Sequence, residues 1–273
     1  MPWIPRGLRE GVVTSAYPRR DDGYGAGFSG TVTVAPDLGD AALVRAAAKA
    51  CPTGAIELTS ERPRLDRGRC ILCGRCARLA PDTFRVDPGF ETAAVARRAL
   101  VVPPGDGDDA ALDEARRTLA ARVRVLRRSV HVRHVDAGSD GSEEWEVAAL
   151  TNPVYDVQRL GIFFTASPKH ADLLLVTGVG STGMSLALRH VYDVMPDPKA
   201  VIAVGVDAIS GGLLGEGYAS GGGVAADVPV DVFVPGSPPS PFGILYGILL
   251  ATGMLTASLR PSASGAPPAG PAR

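Results

Sequence analysis

The feature that most constrains the fold of this chain is a group of closely spaced cysteines. All four cysteines of the 273 residues lie between Cys51 and Cys76, and three of them follow the spacing C-x-x-C-x-x-C in the stretch CILCGRC. Where a fourth cysteine would precede the proline of this stretch, the sequence has Ala80. The opening MPWIPRGLREGVV lacks the continuous apolar segment of an export signal. We therefore expect the thiols to bind metal rather than to form disulfides.

The missing fourth ligand is found upstream, in the Cys51–Pro52 pair. Ferredoxins with two clusters repeat the unit C-x2-C-x2-C-x3-C-P, and the fourth cysteine of each unit binds the cluster of the other unit. Here one unit keeps its first three cysteines and the other keeps only its fourth. Residues 40–87 therefore resemble a bacterial-type two-cluster ferredoxin that has kept one 4Fe–4S cluster. The expected ligands are Cys51, Cys70, Cys73 and Cys76.

A zinc site made from the same four thiolates is the alternative. C-x2-C pairs do build zinc ribbons, but ribbons take two ligands from each of two knuckles, and the Cys-Pro element is foreign to them. The flanking sequence agrees with the ferredoxin interpretation. Residues 40–50 predict a short helix capped by Asp40, and residues 55–66 predict two short strands around a turn.

From residue 130 onward the sequence predicts an α/β domain. Continuous apolar runs at 171–178, 199–205 and 230–236 are typical of buried parallel strands, and residues 184–195 predict a helix between the first two. A strand, a helix and a strand in this order indicate a right-handed βαβ unit and an open doubly wound sheet. The histidines of the alternating stretch at 130–139 are expected to be half-exposed strand residues.

A glycine motif lies between the first of these strands and the helix. Gly178, Gly180 and Gly183 form G-x-G-x-x-G, and Asp207 follows the next strand near the position expected for a ribose-binding acid. This is the context of a dinucleotide-binding fingerprint, so a bound nicotinamide cofactor is one interpretation. An ordinary glycine-rich turn in a doubly wound domain is the other.

A longer pattern covers the same region. The segments SPKHADLLLVTG and VPGSPP resemble the small subunit of membrane-bound NiFe hydrogenases of the group 4, formate-hydrogenlyase and energy-converting type. The homologous cluster-bearing B-type subunit of complex I is similar, and the resemblance covers about residues 131–255. The stretch from PRGLREGVVTSAYP onward looks like the ferredoxin subunit of the same complexes. The resemblance implies a fusion: an α/β flavodoxin-like doubly wound domain preceded by a small α+β ferredoxin-like domain.

One departure from this family matters most. In the family, four cysteines of the α/β domain hold a proximal 4Fe–4S cluster, and no cysteine of this chain follows Cys76. The resemblance thus implies that the proximal cluster is lost. The vacated position can be a water-filled pocket, an oxygen-lined site for Mg²⁺ or Ca²⁺, or, least favoured, a cluster with carboxylate ligands. The residues at the four cysteine positions are Asp140, Glu143, Asp207 and Ser237.

The resemblance implies an electron-transfer subunit with one 4Fe–4S cluster, not catalytic by itself. Its implied partners are a hydrogenase-like or complex I-like large subunit and the membrane subunits of the same complex. A second hypothesis is an assembly or scaffold subunit of a hydrogenase-related ion-transporting complex. A third is an NAD-binding oxidoreductase that uses the glycine loop.

Charge and hydropathy limit the remaining partners. A formal net charge of −1 gives no indication of a nucleic acid. The longest apolar run, at 243–255, is too short to span a membrane and predicts a buried helix. We expect a cytoplasmic protein that is held peripherally at the inner face of the membrane by its complex partners.

The predicted domain organisation has four parts. Residues 1–100 are the ferredoxin-like 4Fe–4S domain, and residues 101–129 are a charged linker helix. Residues 130–255 are the domain that resembles the hydrogenase small subunit. The tail at 256–273 is rich in Pro, Ser, Gly and Ala, which predicts disorder.

Overall fold

The computed structural model describes residues 3–37, 39–60, 62–105, 108–126 and 129–255, so the predicted disordered tail lies outside the described residues. The first part of the chain contains, in order, α1 (Trp3–Glu10), β1 (Ser29–Val34), α2 (Ala41–Ala50), β2 (Ile56–Leu58), β3 (Pro63–Asp66), α3 (Arg75–Leu79), β4 (Phe84–Pro88) and β5 (Val101–Val102). The second part contains α4 (Asp108–Arg122), β6 (Val130–Asp136), α5 (Ser142–Ala149), β7 (Ile162–Phe164), β8 (Leu173–Thr177), α6 (Thr182–Val194), β9 (Ala200–Val204), α7 (Gly205–Ser210), β10 (Val232–Val234) and α8 (Pro241–Ala251). Short 3-10 helices lie at Tyr24–Gly27, Arg97–Leu100, Val157–Leu160, Pro168–His170 and Val224–Ala226.

The first part builds a small unit from two antiparallel sheets and two helices. β1 pairs with β4, and β3 lies between β2 and β5. Helix α2 begins at Asp40, whose Oδ1 accepts a 2.7 Å hydrogen bond from the N–H of Ala42, and α2 packs against α3. The predicted helix at 40–50 and the predicted strand pair at 55–66 are confirmed. Buried side chains such as Val44 and Phe84 form the core of this unit, together with Cys76.

The second part is organised around a parallel sheet. Within the described residues its strands follow the order β10–β9–β8–β6–β7, and every neighbouring pair is parallel. Numbered along the chain, this is the 2-1-3-4-5 order of doubly wound sheets. On β8, Leu173 and Leu175 face one core, whereas Leu174 and Val176 face the other. The strand is therefore buried on both faces, as its continuous apolar sequence predicts.

Three predicted helices cover this sheet. α6 connects β8 to β9, which confirms the predicted βαβ unit. The apolar run at 243–255 forms α8, which is almost entirely buried and packs against β9 and β10. The charged stretch forms α4, and Leu119 of α4 and Val123, directly after it, are buried in the core on one face of the sheet. No helix in the described part of the chain combines the length and the apolar content that crossing a bilayer requires.

A group of aromatic rings joins the two parts around Phe242 of α8. The ring of Phe242 lies 4.9 Å from that of Phe90 and 4.7 Å from that of Tyr155, measured between centroids. Tyr17 and Phe28, from the segment before β1, approach the same ring at 5.9 and 5.8 Å. Such ring pairs add to the stability gained from area burial. The N-terminal segment therefore contributes to the core of the α/β domain.

Backbone hydrogen bonds hold the same junction. The N–H of Ser15 donates to the carbonyl of Val154 at 2.8 Å. Ala94, in the segment after β4, and Phe233, in β10, exchange two backbone hydrogen bonds of 2.9 and 2.8 Å. The chain thus crosses between the two parts at both its N-terminal segment and the segment after β4.

We expect Phe242→Ala to lower the free energy of unfolding by about 3–5 kcal/mol, because it removes the ring that all the others contact and leaves a cavity. Trp145→Ala is the control, since that ring is 79% exposed and its loss should change stability by no more than about 0.5 kcal/mol. Urea unfolding of both variants measures the difference. Equal effects would contradict the central role of Phe242.

Candidate functional site

The four cysteines line one small cavity in the N-terminal unit. Cys51 follows the last residue of α2, and Cys76 lies in α3. Cys70 and Cys73 belong to the loop that leads into α3. The packing of α2 against α3 therefore brings the isolated upstream cysteine to the other three.

The loop that carries the cysteines has an unusual backbone. Leu72 has a φ of 54° and Gly74 a φ of 68°, both in the left-handed region. The left-handed conformation is uncommon for a residue such as leucine, and it turns the chain between successive cysteines. The N–H of Ala55 points at the Sγ of Cys51 at 3.3 Å. Hydrogen bonds to cysteine sulfurs are a recurrent feature of iron–sulfur sites.

Burial keeps two of the thiols in the cavity protonated near neutral pH. Burial raises the pKa of Cys70 to about 11, although a hydrogen bond from the N–H of Leu72 opposes the shift. Burial also raises the pKa of Cys76. Thiolates at these positions therefore need the charge of a metal to form near neutral pH.

The cysteines surround a volume rather than a point. Among the residues that the structure describes, no three His, Cys, Asp or Glu side chains converge closely enough to hold a single metal ion. Zinc requires its thiolates at about 2.3 Å from one centre. A 4Fe–4S cluster is larger, and its ligands lie around its corners. Four thiols that line one cavity, with a backbone N–H directed at one sulfur, are a donor set that fits an iron–sulfur cluster.

The side chains predicted to replace the ligands of a second cluster lie at the carboxyl edge of the parallel sheet. Asp140 and Glu143 follow β6 at the start of α5, and Asp207 lies in α7, directly after β9. In the sheet, β7 lies on one side of β6 and β8 lies on the other. The order of the strands therefore changes direction at β6. Ligand sites of doubly wound sheets occur at this switch point.

Glu143 is fully buried. Its Oε2 accepts a 3.0 Å hydrogen bond from the hydroxyl of Ser142, but its Oε1 has no hydrogen-bond partner among the described residues. Burial raises the pKa of Glu143 to about 7, and the negative charges of Asp207 and Asp140 act in the same direction. Such a carboxyl group is partly protonated at neutral pH.

The two neighbouring carboxylates differ from Glu143. Burial, followed by the charges of Asp140 and Glu144, raises the pKa of Asp207. Asp140 is exposed, and hydrogen bonding with the side chain of Ser142, followed by the 2.9 Å bond from the N–H of Ser142, lowers its pKa. The structure therefore brings Asp140, Asp207 and Glu143 within electrostatic reach of one another. Asp140 is exposed, Asp207 is partly buried and Glu143 is fully buried.

The fourth of these predicted positions, Ser237, faces the cysteine loop. Ser237 lines a cavity of about 350 Å³ that is shared with Ile71, Leu72 and Glu146. The same loop also contacts α7, because the hydroxyl of Ser210 donates a 2.8 Å hydrogen bond to the carbonyl of Gly68. The cysteine loop and the vacated position are thus direct neighbours in space.

The structure also contains a polar network around Glu144, next to Glu143, that the sequence analysis missed. His134 Nε2 lies 3.0 Å from the hydroxyl of Thr177, which in turn donates to Glu144. The hydroxyl of Ser139 donates to the other oxygen of Glu144 at 2.6 Å. Burial lowers the pKa of His134, although Glu144 opposes the shift. The one available sequence signal was Thr177, a hydroxyl at the end of an otherwise apolar strand.

The glycine motif is explained by close backbone packing. Gly178 has a φ of 83°, and a Cβ there would lie 2.6 Å from the backbone of Gly138. Gly180 has a φ of 70°, and its Cβ would lie 2.4 Å from the carbonyl oxygen of Gly223. A Cβ at Gly183 would have no atom of a described residue within 4 Å beyond its chain neighbours and the backbone of α6. Two of the three glycines are thus required by contacts within the chain.

These contacts predict opposite effects within the motif. Gly178→Ala should destabilise the protein by at least about 1–3 kcal/mol, because the left-handed backbone and the nearby Gly138 both exclude a Cβ. Gly183→Ala, in α6, should be neutral or stabilising by up to about 1 kcal/mol. Thermal unfolding of the two variants checks the difference. Similar losses in both would contradict this account of the motif.

Comparisons with known proteins cover both parts of the chain. The family model described as NADH ubiquinone oxidoreductase, 20 Kd subunit, matches residues 141–251. The model described as 4Fe-4S single cluster domain of Ferredoxin I matches residues 65–120. A solved structure of the membrane-bound sulfane sulfur reductase (MBS), an archaeal respiratory membrane complex, aligns over 48% of this chain and 73% of its own with 30% identity and a TM-score of 0.43.

Two curated relatives match about half of this chain. Formate hydrogenlyase subunit 7 of Escherichia coli is 39% identical over 136 residues, which are 50% of this chain and 53% of that protein. The probable membrane-bound hydrogenase subunit mbhJ of Pyrococcus furiosus is 40% identical over 133 residues, which are 49% of this chain and 80% of that subunit. The chain therefore belongs to the family of the 20 kDa subunit of NADH:ubiquinone oxidoreductase, together with the hydrogenase subunits related to it.

Proposed function

We propose that this chain is an iron–sulfur electron-transfer subunit of a hydrogenase-like or complex I-like membrane complex. The observation that carries the proposal is the cavity lined by Cys51, Cys70, Cys73 and Cys76. It occurs in a chain that matches both a single-cluster ferredoxin domain and a subunit family of such complexes. When bound, a 4Fe–4S cluster supplies one-electron transfer.

The fourth ligand is the part of the site that rests on this chain alone. The ferredoxin match begins at residue 65, so it includes three of the cysteines but not Cys51. Cys51 lines the same cavity as the other three, and the N–H of Ala55 points at its sulfur. These contacts support Cys51 as the ligand that completes one cluster.

The domain organisation belongs to the same proposal. Residues 1–100 form a ferredoxin-like α+β domain, residues 101–129 a linker helix and residues 130–255 the family domain. In relatives of the implied type, the latter domain would carry a second cluster. In this chain, carboxylates and a hydroxyl stand at the corresponding positions, so the N-terminal cluster is its only one.

The proposed partners are a large subunit and the membrane subunits of the complex. The large subunit would dock at the carboxyl edge of the sheet. Large apolar side chains are exposed on α5 and on the loop after α7, at Trp145, Leu213, Leu214 and Tyr218. Exposed apolar groups of this size are typical of surfaces that a partner covers. The proposed location is peripheral, on the cytoplasmic face of the membrane.

Metal analysis of the anaerobically purified chain tests the cluster. We expect about four irons and one cubane EPR signal after reduction. Cys73→Ser should lose most of the iron, whereas Ser237→Ala should retain it, since Ser237 is not a ligand. About eight irons would contradict the loss of the second cluster. Zinc without iron would overturn the proposal.

A second function is favoured by the carboxylates at the vacated position. In this second function, the chain is an assembly or scaffold subunit of an ion-transporting complex, with no electron transfer through its α/β domain. The purified complex separates the two functions: Cys73→Ser should abolish electron transfer from an artificial reductant while the complex still assembles. Unchanged electron transfer would favour the scaffold function.

Saturable NADH binding to the isolated chain would instead favour the nicotinamide hypothesis.

A further inference from the structure

We propose that Glu143 is a buried proton-binding site, formed with Asp207 and Asp140 where related subunits have cluster cysteines, and that it holds one exchangeable proton at neutral pH. The inference goes beyond electron transfer and does not depend on it. It rests on the burial of one carboxyl group, on its unpartnered oxygen and on the charges around it.

The packing around Glu143 does not stabilise an ion. The side chain is fully buried, and its Oε1 has no donor among the described residues. Gly205 packs directly against it, since a Cβ at that position would lie 2.5 Å from Oε1. The Ser142 hydroxyl donates to Oε2, but a buried carboxylate with one unpartnered oxygen is still disfavoured, and the group binds a proton instead.

The neighbouring charges act in the same direction. Asp140 approaches from the loop before α5 and Asp207 from α7, and both disfavour a further negative charge on Glu143. Glu144 is the next residue of α5, and its carboxylate accepts hydrogen bonds from the hydroxyls of Thr177 and Ser139. The Nε2 of His134 lies 3.7 Å from its Oε1. Helix α8, which packs against α5, carries no charged residue.

The three carboxyl groups also provide a route for exchange. Asp140 is exposed, Asp207 is partly buried and Glu143 is fully buried. Because both act electrostatically on Glu143, Asp140 and Asp207 are the groups through which its proton would exchange with solvent. A partner that covers Asp140 and Asp207 would remove water from both and strengthen proton binding at the cluster of carboxylates. Docking at this edge would then be linked to proton uptake.

The unfolding equilibrium of the full chain tests the proposal. Glu143 binds its proton more tightly in the folded than in the unfolded state, so the folded state carries more protons between these two pKa values. Stability is then greatest below the unfolded value and is lost as pH rises to about 7. We expect the unfolding constant to rise by about 100-fold over this range in the wild type, relative to Glu143→Gln.

Glu144→Gln is the matched control, because it removes the adjacent carboxylate of the same helix and should leave the pH dependence in place. Infrared spectroscopy at neutral pH gives a second readout. The wild type should have a carbonyl band of a protonated carboxylic acid that is absent from Glu143→Gln and retained in Glu144→Gln. A structural role for Glu143 would not produce this band.

Three results would overturn the proposal. The first is the same pH dependence in Glu143→Gln as in the wild type. The second is the absence of the infrared band in the wild type, which decides the matter even if the variant does not fold. The third is loss of the band when millimolar Mg²⁺ or Ca²⁺ is added at constant pH, which would identify a cation site instead.

Discussion

The contact of five aromatic rings with Phe242 is the interaction on which the rest of the structure depends. It brings together the N-terminal segment, the segment after β4 and the last helix of the α/β domain. The cysteine loop is consequently held against α7 and beside Ser237. Without this apolar junction, the cysteine cavity and the vacated position would belong to separate bodies.

Two kinds of ligand chemistry are thus placed side by side. The thiols of the N-terminal unit are soft ligands around a cavity, and burial keeps two of them, Cys70 and Cys76, protonated unless a metal binds. The carboxyl groups at the edge of the sheet are hard ligands, and the innermost of them, Glu143, has one oxygen with no hydrogen-bond partner among the described residues. The first group is suited to holding electrons through a metal, and the second to holding protons.

Local patterns predicted much of this arrangement. The complementary cysteine spacing identified the four residues that line one cavity, and continuous apolar runs identified the buried strands. The sequence could not distinguish Asp140 from Glu143, because burial of one and exposure of the other depends on how α5 packs against the sheet. It also gave no sign that Tyr17 enters the core of the α/β domain, since that contact joins residues distant in the chain. The network of Thr177 and His134 was missed for the same reason.

The contact between Gly205 and Glu143 has an evolutionary consequence. The absent side chain at Gly205 is the space that the Glu143 carboxyl group occupies. A cysteine at position 143 is shorter and would leave part of that space empty, which costs stability in a packed interior. A larger residue at position 205 would expel the glutamate. The two positions therefore have to change together, so a single substitution at either position costs stability.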